Sequence, residues 1–297
     1  MILAAGLGTR LRPLTDELPK PLVPVGDRPA VAHVAERLAA AGIGEAVLNT
    51  HHLAEAFTAQ RLADLPVALH VLHETAILGT AGGVANAASL LADGDVVVWN
   101  GDILAEVDVS ALLAAHRATG AAATLAVAPR AAGEGTVGLD ARGRVVRLRG
   151  ERFGEEVSSA DFLGIQVLGP ELRATFPRPG CLVDDGYRPA LRRGLVVATF
   201  AFAGPWDDIG TVAAYLAANA RWLRRSGRGS FVHATARVAA GVTVEGSVIG
   251  AGAEVTGAGT VRDSVIWPGA RAEAPLEGVV VSRGGVTPSR RTSTGCA

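Results

Sequence analysis

The residues best suited to phosphate chemistry lie near the start of the chain. A short apolar segment leads into Gly6-Leu7-Gly8-Thr9-Arg10, and Lys20 follows between two prolines. Glycines let a backbone approach a ligand and point N–H groups at phosphate oxygens, and an arginine fork binds two oxygens at once. Lys20 is the only lysine among 28 basic residues. A compact ammonium held by prolines suits a phosphate that gains negative charge in a transition state.

This glycine-rich segment does not fit the two commonest phosphate-binding loops. Leu11 stands where a dinucleotide-binding fingerprint has its third glycine, and Arg12-Pro13 does not suit a helix that begins against a strand. No Gly-Lys-Ser or Gly-Lys-Thr follows, so the segment is not a P-loop. The segment therefore indicates a phosphate-binding loop of another kind.

Two aspartates in distant segments suit a shared metal ion. Asp102 ends a buried apolar strand, and Asp208 lies in Trp206-Asp207-Asp208-Ile209-Gly210-Thr211 before a helix. Two carboxylates can share one Mg²⁺ with phosphate oxygens. The structural alternative is that Asp102 caps a turn and that Asp207 or Asp208 caps the helix. Together with the glycine-rich loop, the pattern favours Mg²⁺ at Asp102 and Asp208.

Apolar runs alternate with alanine-rich helical stretches over the first part of the chain. This alternation is typical of an α/β fold, with a Rossmann-like, mostly parallel sheet and helices on both faces. Val96–Trp99 has the unbroken apolar character of a fully buried parallel strand. We expect one α/β domain over residues 1–223, followed by a polar linker over residues 224–230.

After the linker the sequence repeats every 17 residues. Val232–Val248, Ile249–Val265 and Ile266–Ser282 align, and in the first two blocks aliphatic residues recur every six positions. This pattern predicts a hexapeptide β-helix over residues 231–282, with three coils that bury their apolar faces by stacking. In the third block Gly278 stands where a valine is expected, as in a terminal cap. Residues 283–297 lack periodicity and predict a disordered tail.

The loop followed by Pro19-Lys20-Pro21 resembles the signature of sugar-1-phosphate nucleotidylyltransferases, also called NDP-sugar pyrophosphorylases. The similarity extends to about Leu223, and a left-handed β-helix also occurs in several members. The resemblance implies transfer of a nucleotidyl group from an NTP to a sugar-1-phosphate. It implies that Arg10 and Lys20 hold the phosphates and that Asp102 and Asp208 bind the metal. The nucleotide-binding residues that it implies are Ala5, Gly6, Gly8, Thr9, Glu74, Gly79, Thr80 and Gly82.

The family's base-reading loop corresponds here to His73–Gly83, with Glu74 at a base-contacting position. A carboxylate only accepts hydrogen bonds. Guanine offers it both N1–H and N2–H₂, whereas uracil and thymine offer only N3–H. This favours GTP, and the Leu-Gly-Thr-Ala-Gly spacing resembles mannose-1-phosphate guanylyltransferases. The prediction is GTP with mannose-1-phosphate, and a uridylyl- or thymidylyltransferase on another sugar-1-phosphate is the alternative.

The sugar-phosphate side departs from the family's pattern. Residues 147–152 contain no Glu-Lys-Pro motif, although Arg149 or Arg152 could replace its lysine. An arginine fork is not equivalent to a lysine point charge. Gly138 and Gly164 match family positions on this side and are the predicted sugar-phosphate-binding residues. N-acetylmuramate-1-phosphate uridylyltransferases also lack a clean motif, so that activity stays open, as does a non-catalytic regulatory homologue.

Composition and charge exclude several other classes. The net charge of −1 argues against a nucleic-acid surface, and no apolar run approaches the ~20 residues of a membrane span. Cys181 and Cys296 cannot form a disulfide framework, so we expect unpaired thiols in a cytoplasmic protein. A structural role for the β-helix, or homo-oligomerisation through it, is favoured over acyl transfer. The first strand has only five residues, which predicts a native start upstream of Met1.

Overall fold

The computed structural model describes residues 1–289. The chain divides into two compact units: the first contains Met1–Gly6 and Val34–Trp206, and the second contains Leu7–His33 and the chain from Asp207 onward. This differs from the predicted division, because residues 7–33 and 207–223 group with the repeats and not with the α/β sheet. Residues 290–297, the end of the predicted tail, lie outside the described residues.

The strands and helices of the described chain are short. The strands are β1 Ile2–Leu3, β2 Pro24–Val25, β3 Arg28–Pro29, β4 Glu45–Thr50, β5 Ala68–His73, β6 Val96–Asn100, β7 Ile103–Ala105, β8 Ala123–Arg130, β9 Val137–Leu139, β10 Val145–Leu148, β11 Glu151–Arg152, β12 Ser158–Leu168, β13 Val197–Ala201, β14 Trp206–Asp208, β15 Phe231–Val232, β16 Arg237–Val238, β17 Val242–Glu245, β18 Val248–Ile249, β19 Glu254–Arg262, β20 Val265–Ile266, β21 Arg271–Glu277, β22 Val279–Ser282 and β23 Gly285–Pro288. The α-helices are α1 Ala30–Ala40, α2 Ala59–Leu62, α3 Gly79–Asn86, α4 Val109–Thr119, α5 Pro170–Arg173, α6 Arg188–Arg192 and α7 Val212–Arg225.

A ten-stranded sheet forms the first unit. Its order is β11-β10-β9-β12-β6-β1-β4-β5, and β8 and β13 join it through β12. β1 runs parallel to β4 and β6, as β4 does to β5 and β13 to β8. β12 runs antiparallel to β6, β8 and β9, and β9 through β11 pair as antiparallel neighbours. The α/β class is confirmed, but the sheet is mixed.

The prediction of a mostly parallel sheet is wrong for the half that contains β12. Connections of two to five residues join β9, β10, β11 and β12. Parallel neighbours need a crossover of a dozen or more residues, so these strands can only return antiparallel. β9 and β10 form one such hairpin, and Asp140 in its turn accepts hydrogen bonds from the backbone N–H groups of Arg142 and Arg144, each at 2.9 Å.

Two helices follow directly from their capping residues. At the start of α4, Asp108 accepts a hydrogen bond from the N–H of Ala111, and Gly120 ends the helix at φ +59°. α7 begins after Thr211, whose side chain accepts a hydrogen bond from the N–H of Ala214. Thr211 therefore caps α7, and neither Asp207 nor Asp208 is the capping residue. Among the described residues, no helix is long and apolar enough to cross a bilayer.

The second unit contains the repeat segment, residues 231–282. Its strands pair in parallel with partners 17 residues away, as Phe231 does with Val248 and Val248 with Val265. β16 and β17 pair with β19 at the same interval. Ile249 and Ile266 are fully buried, so the aligned aliphatic positions form the interior of the stack. The predicted 17-residue period is confirmed for these strands.

The third repeat is two residues shorter than predicted. Val265 pairs with Val280, and Val261 with Leu276, at an interval of 15 residues. Pro275, which has no N–H to donate to a strand neighbour, lies where the register shifts. Leu276, not Gly278, therefore takes the place of the expected valine. β23, antiparallel to β22, lies within the predicted disordered tail, so that prediction is wrong for residues 285–288.

Candidate active site

Gly8 shapes the glycine-rich loop. It adopts φ +63°, and its carbonyl accepts hydrogen bonds from the Thr15 hydroxyl and the N–H of Leu11, both at 2.9 Å. A Cβ at Gly8 would lie 2.7 Å from Cγ2 of Thr15, so a side chain there would displace the loop. Gly6 faces open space, with nothing within 4 Å of a Cβ built on it. Gly8 therefore stabilises the conformation of the loop, whereas Gly6 leaves the backbone accessible to a ligand.

Arg10 and Asp208, predicted from distant segments, lie together in the second unit. The Nη2 atom of Arg10 is 3.3 Å from Oδ2 of Asp208. A Cβ at Gly210 would lie 2.6 Å from Nη2 of Arg10 and 2.8 Å from Oδ1 of Asp208. A side chain at position 210 would therefore push the end of the Arg10 side chain away from this pair. We call Gly8, Arg10, Asp208 and Gly210 the Arg10 cluster.

The second oxygen of Asp208 fits a cation. Oδ1 of Asp208 is buried and has no hydrogen-bond partner in the described structure. Buried oxygens of this kind normally have a partner, and a carboxylate oxygen is a ligand that Mg²⁺ prefers. Asp102, the other predicted ligand, is half-buried in the turn between β6 and β7. Residues 1–289 contain no group of three or more His, Cys, Asp or Glu side chains placed to hold a metal.

The adjacent Asp207 has a different partner. Both its carboxylate oxygens accept hydrogen bonds from Arg221 of α7, at 2.8 and 3.0 Å. The hydrogen bond from Arg221 to Asp207 raises the pKa of the guanidinium. This bidentate pair fastens the turn to α7. Asp207 is thus a structural neighbour of Asp208.

Lys20 is presented by a rigid backbone. It begins a 3₁₀-helix, Lys20–Leu22, which is preceded by Pro19 and contains Pro21. The N–H of Leu22 donates to the carbonyl of Pro19 at 2.8 Å. Both prolines are buried, while the lysine is half-buried. The predicted fixed presentation of one ammonium group thus has a structural basis.

Glu74 is a deeply buried carboxylate. It exposes only 2% of its surface. Its Oε1 accepts a hydrogen bond from Nδ2 of Asn49 at 2.9 Å, and Oδ1 of Asn49 accepts from the N–H of Ala4 at 2.9 Å. Oε2 of Glu74 is buried and has no hydrogen-bond partner among residues 1–289. The fold therefore holds one oxygen of this carboxylate and leaves the other with its hydrogen-bonding capacity unused.

Asn49 is the residue that sequence reasoning missed. It lies near the end of β4 and is buried. A Cβ at Gly83 would lie 2.7 Å from Nδ2 of Asn49, so that glycine makes room for the amide. The available signal was a polar residue directly after the apolar run Ala46-Val47-Leu48 of β4. We call Ala4, Asn49, Glu74 and Gly83 the Glu74 cluster.

The glycines at the start of α3 contact the protein's own backbone. A Cβ at Gly79, where φ is +75°, would lie 2.4 Å from the carbonyl oxygen of Gly180. Ala81 and Gly82 donate their N–H groups to that same oxygen, and Thr80 accepts a hydrogen bond from the N–H of Leu182 at 2.8 Å. These contacts explain, without any ligand, why glycines and a threonine occupy the start of α3. A nucleotide contact by Gly79, Thr80 and Gly82 stays a prediction.

The two glycines predicted for the sugar-phosphate side have distinct neighbours. A Cβ at Gly138 would lie 2.5 Å from the Glu156 carboxylate, which Arg147 binds at 2.8 Å. Gly164, with φ +73°, lies where the pairing of β12 with β8 shifts register. A Cβ on it would be 2.5 Å from Nδ2 of Asn100, two residues before Asp102. Gly164 therefore belongs to the strand end that presents Asp102.

The segment that lacks Glu-Lys-Pro is a tight hairpin between β10 and β11. Its loop is Arg149-Gly150, and both residues have positive φ. Arg149 pairs with Asp184 at 2.8 Å. Glu151 binds Arg192 of α6 at 2.7 Å, and that contact contributes most to lowering the pKa of Glu151. Arg149 thus has a carboxylate partner within the first unit.

The mixed sheet and its helices define an α/β protein. Residues 1–150, half of the chain, match the model of the nucleotidyl transferase family, and the chain belongs to this family. It is 39% identical over 153 residues to mannose-1-phosphate guanylyltransferase of Mycobacterium tuberculosis, which covers 49% of this chain and 42% of that protein. It is 33% identical over 235 residues to mannose-1-phosphate guanyltransferase of Schizosaccharomyces pombe, covering 75% and 64%. The chain thus spans less than two thirds of these relatives.

Solved structures support the same fold. HddC of Yersinia pseudotuberculosis is similar with a TM-score of 0.63 at 22% identity, over 74% of this chain and 97% of that one. UDP-glucose pyrophosphorylase, solved with UDP-glucose, is similar with a TM-score of 0.62 at 17% identity, over 75% and 97%. At these identities the similarity establishes the fold and not the substrate.

Proposed function

We propose that this protein transfers a nucleotidyl group from an NTP to a sugar-1-phosphate, releasing pyrophosphate. The observation that carries the proposal is the Arg10 cluster. In it the Arg10 guanidinium and the Asp208 carboxylate, which has one unpartnered oxygen, lie at the glycine-rich loop. GTP with mannose-1-phosphate is the best pair, since several relatives bear the name of that guanylyltransferase. The proposed enzyme therefore belongs to the EC 2.7.7 class.

The proposed reaction is a direct in-line displacement. A phosphate oxygen of the sugar-1-phosphate forms a bond to the α-phosphorus of the NTP. The bond from that phosphorus to the bridging oxygen breaks, and pyrophosphate leaves with the electron pair. Arg10 and the N–H groups of the glycine-rich loop would bind the triphosphate, while Lys20 would neutralise charge on the α-phosphate.

The residues present fit a divalent cation. Asp102 and Asp208 are its proposed ligands, on the sequence grounds given above and on the unpartnered Oδ1 of Asp208. Bound Mg²⁺ would supply neutralisation of phosphate charge. In this arrangement Asp208 would bind the cation through Oδ1, while Arg10 lies beside Oδ2.

Base choice is assigned to Glu74 in this proposal. Its unpartnered Oε2 would accept hydrogen bonds from guanine N1–H or N2–H₂. Gly138 and Gly164 are the proposed sugar-phosphate residues. The ion pair between Arg149 and Asp184 does not favour Arg149 as a substitute for the missing lysine, which keeps the uridylyl- or thymidylyltransferase alternative in the test.

The repeat segment and the setting of the enzyme complete the proposal. We propose that the repeats wind as a left-handed β-helix, with homo-oligomerisation through it as one role. The parallel 17-residue register supports a coil architecture. We propose that the enzyme acts in the cytoplasm on free nucleotide and sugar phosphate.

The test is pyrophosphate release with Mg²⁺ over a matrix of four NTPs and several sugar-1-phosphates. The matrix includes GTP with mannose-1-phosphate and UTP with N-acetylmuramate-1-phosphate. One strong pair is expected, and it names the substrates. Nucleotide binding without release from any pair would overturn the enzymatic proposal in favour of a regulatory homologue.

A further inference from the structure

The segment that carries Lys20 is fastened on both sides by the C-terminal part of the second unit. Glu17 precedes Lys20 by three residues, and Pro24 follows it by four. Each makes a hydrogen bond with a residue more than 190 positions away. All of these residues lie in the second compact unit. The contacts therefore suggest a role for the repeat segment other than assembly.

On the side that follows Lys20, two buried aromatic residues form a relay. The Tyr215 hydroxyl of α7 donates a hydrogen bond to the carbonyl of Pro24. The same hydroxyl accepts a hydrogen bond from Nε1–H of Trp267 in the repeat segment, at 3.0 Å. Burial raises the pKa of Tyr215, so its hydroxyl stays protonated and keeps donating. The position of Pro24 is thus coupled to the repeat segment through one hydroxyl.

The β2–β3 hairpin that follows is also held by α7. Asn219 accepts a hydrogen bond from the N–H of Gly26 at 2.9 Å. A Cβ at Gly26 would lie 2.2 Å from the ring of Trp222, so the hairpin and the indole are in tight contact. Gly26 has φ +65°, which independently favours glycine. The hairpin has little freedom to move relative to α7.

On the side that precedes Lys20, a single carboxylate oxygen receives two donors. Oε1 of Glu17 accepts from the Ser282 hydroxyl, which ends the repeat segment, and from the N–H of Gly284 at 2.9 Å. A Cβ at Gly284 would lie 2.6 Å from that oxygen. The end of the third repeat therefore binds directly to the turn that leads into Pro19-Lys20-Pro21.

We infer that the repeat segment positions Lys20, and that Glu17, Tyr215 and Trp267 are the positioning residues through which it does so. This inference rests on the proposed function for its kinetic consequence, but not for its structural one. Prolines around Lys20 make the segment stiff, so anchors at its two ends fix the ammonium in between. An ammonium that must meet a transferring phosphate loses effect when its placement loosens.

The test uses the fact that Lys20 is the only lysine. Its acylation rate with N-hydroxysuccinimidyl acetate, followed by mass spectrometry of the peptide that contains it, reports on this one side chain without requiring activity. Tyr215→Phe removes the relay with the loss of one oxygen atom, and Trp267→Phe removes the N–H donor. We expect each variant to change the Lys20 acylation rate severalfold.

The control is Ile249→Val, which trims a buried residue whose strand pairs only with other repeat strands, β15 and β20. It should leave the acylation rate at the wild-type value. An unchanged rate in both relay variants, or an equal change in the control, would overturn the inference.

Kinetics with the active substrate pair provide the second measurement. The relay variants should lower kcat about tenfold and leave KM for the NTP within twofold, since binding groups other than Lys20 remain. A kcat equal to wild type in both variants would also contradict the positioning role. If the wild-type protein releases no pyrophosphate with any pair, the proposed function fails, and the acylation rates still decide this inference.

Discussion

The Arg10 cluster and the Glu74 cluster use their carboxylates in opposite ways. Asp208 and Arg10 are partly exposed, at 37% and 63% of their side chains, and share one contact of 3.3 Å. Glu74 is buried, and Asn49 fixes it at 2.9 Å while also holding the backbone of Ala4. An exposed ion pair of this kind contributes little to stability, whereas a buried polar group without its partner is costly.

This difference in burial and hydrogen bonding indicates which cluster can exchange an internal contact for a contact with a ligand. The Arg10 cluster can exchange its weak internal contact for a charged ligand at small cost. The Glu74 cluster is fixed before any ligand arrives, which suits discrimination between bases. In both clusters one carboxylate oxygen lacks a partner, and these are the two oxygens that the proposed function uses. Substitutions near the Arg10 cluster should therefore change turnover, and substitutions in the Glu74 cluster should change the choice of nucleotide.

The largest effect on turnover is expected at Lys20, which follows Arg10 by ten residues in the sequence. Lys20→Ala should lower kcat by about 10²- to 10³-fold, the typical loss when one stabilising charge is removed from a transition state. The melting temperature should stay near the wild-type value, because the flanking prolines still form the backbone. Steady-state pyrophosphate release and thermal melting measure the two quantities. Near-normal turnover would refute the role of Lys20.

The adjacent aspartates give the next contrast. Asp208→Asn should lower kcat by about 10²-fold and raise the Mg²⁺ concentration needed for half-maximal rate, because an amide is a weaker ligand. Asp207→Asn should instead lower the free energy of unfolding by about 1–3 kcal/mol, since Arg221 loses its bidentate partner, and should leave kcat unchanged. Metal titrations and urea unfolding of both variants make the comparison. Equal effects in the two variants would remove the distinction between these neighbours.

Local patterns accounted for a large part of the fold. Both ends of α4 are marked in the sequence, by the cap residue Asp108 and by the terminal glycine Gly120. The 17-residue period predicted the pairing of Val248 with Val265. The shortened third repeat was not visible, because the effect of Pro275 depends on a register shift against β19. The antiparallel hairpins of β9 to β11 follow from connections of two to five residues, which the apolar pattern of the strands does not show.

The candidate site was predictable where charge and spacing carry the signal. Arg10 and Asp208 are paired in the second unit, which supports reading both as one site. Gly79 had a structural reason that sequence cannot display, since its neighbour Gly180 is 101 residues further along the chain. Asn49 was missed because its role consists of two hydrogen bonds to residues 45 and 25 positions away.

A smaller effect is expected at Asn49, where selectivity and not turnover should change. Asn49→Asp keeps an acceptor for the N–H of Ala4 but loses the donor to Glu74. At pH 8 the two carboxylates would repel, so the preference for GTP over UTP should fall about tenfold, the equivalent of about 1.4 kcal/mol. The kcat/KM ratio for the two nucleotides measures it, and an unchanged ratio would contradict base reading by Glu74.

The smallest effect is expected at Glu156, which belongs to neither cluster and so tests whether stability can be separated from both. The hydrogen bond from Arg147 lowers the pKa of Glu156 to about 2, from 4.5. Because this pKa is lower in the folded state, the carboxylate contributes stability above pH 4.5 that is lost as the pH falls from 4.5 towards 2. Urea midpoints at pH 7 and pH 3 should therefore differ more for the wild type than for Glu156→Gln. Glu171→Gln, at an exposed position, should keep the wild-type difference, and the same difference in Glu156→Gln would show that this ion pair carries no pH-dependent stability.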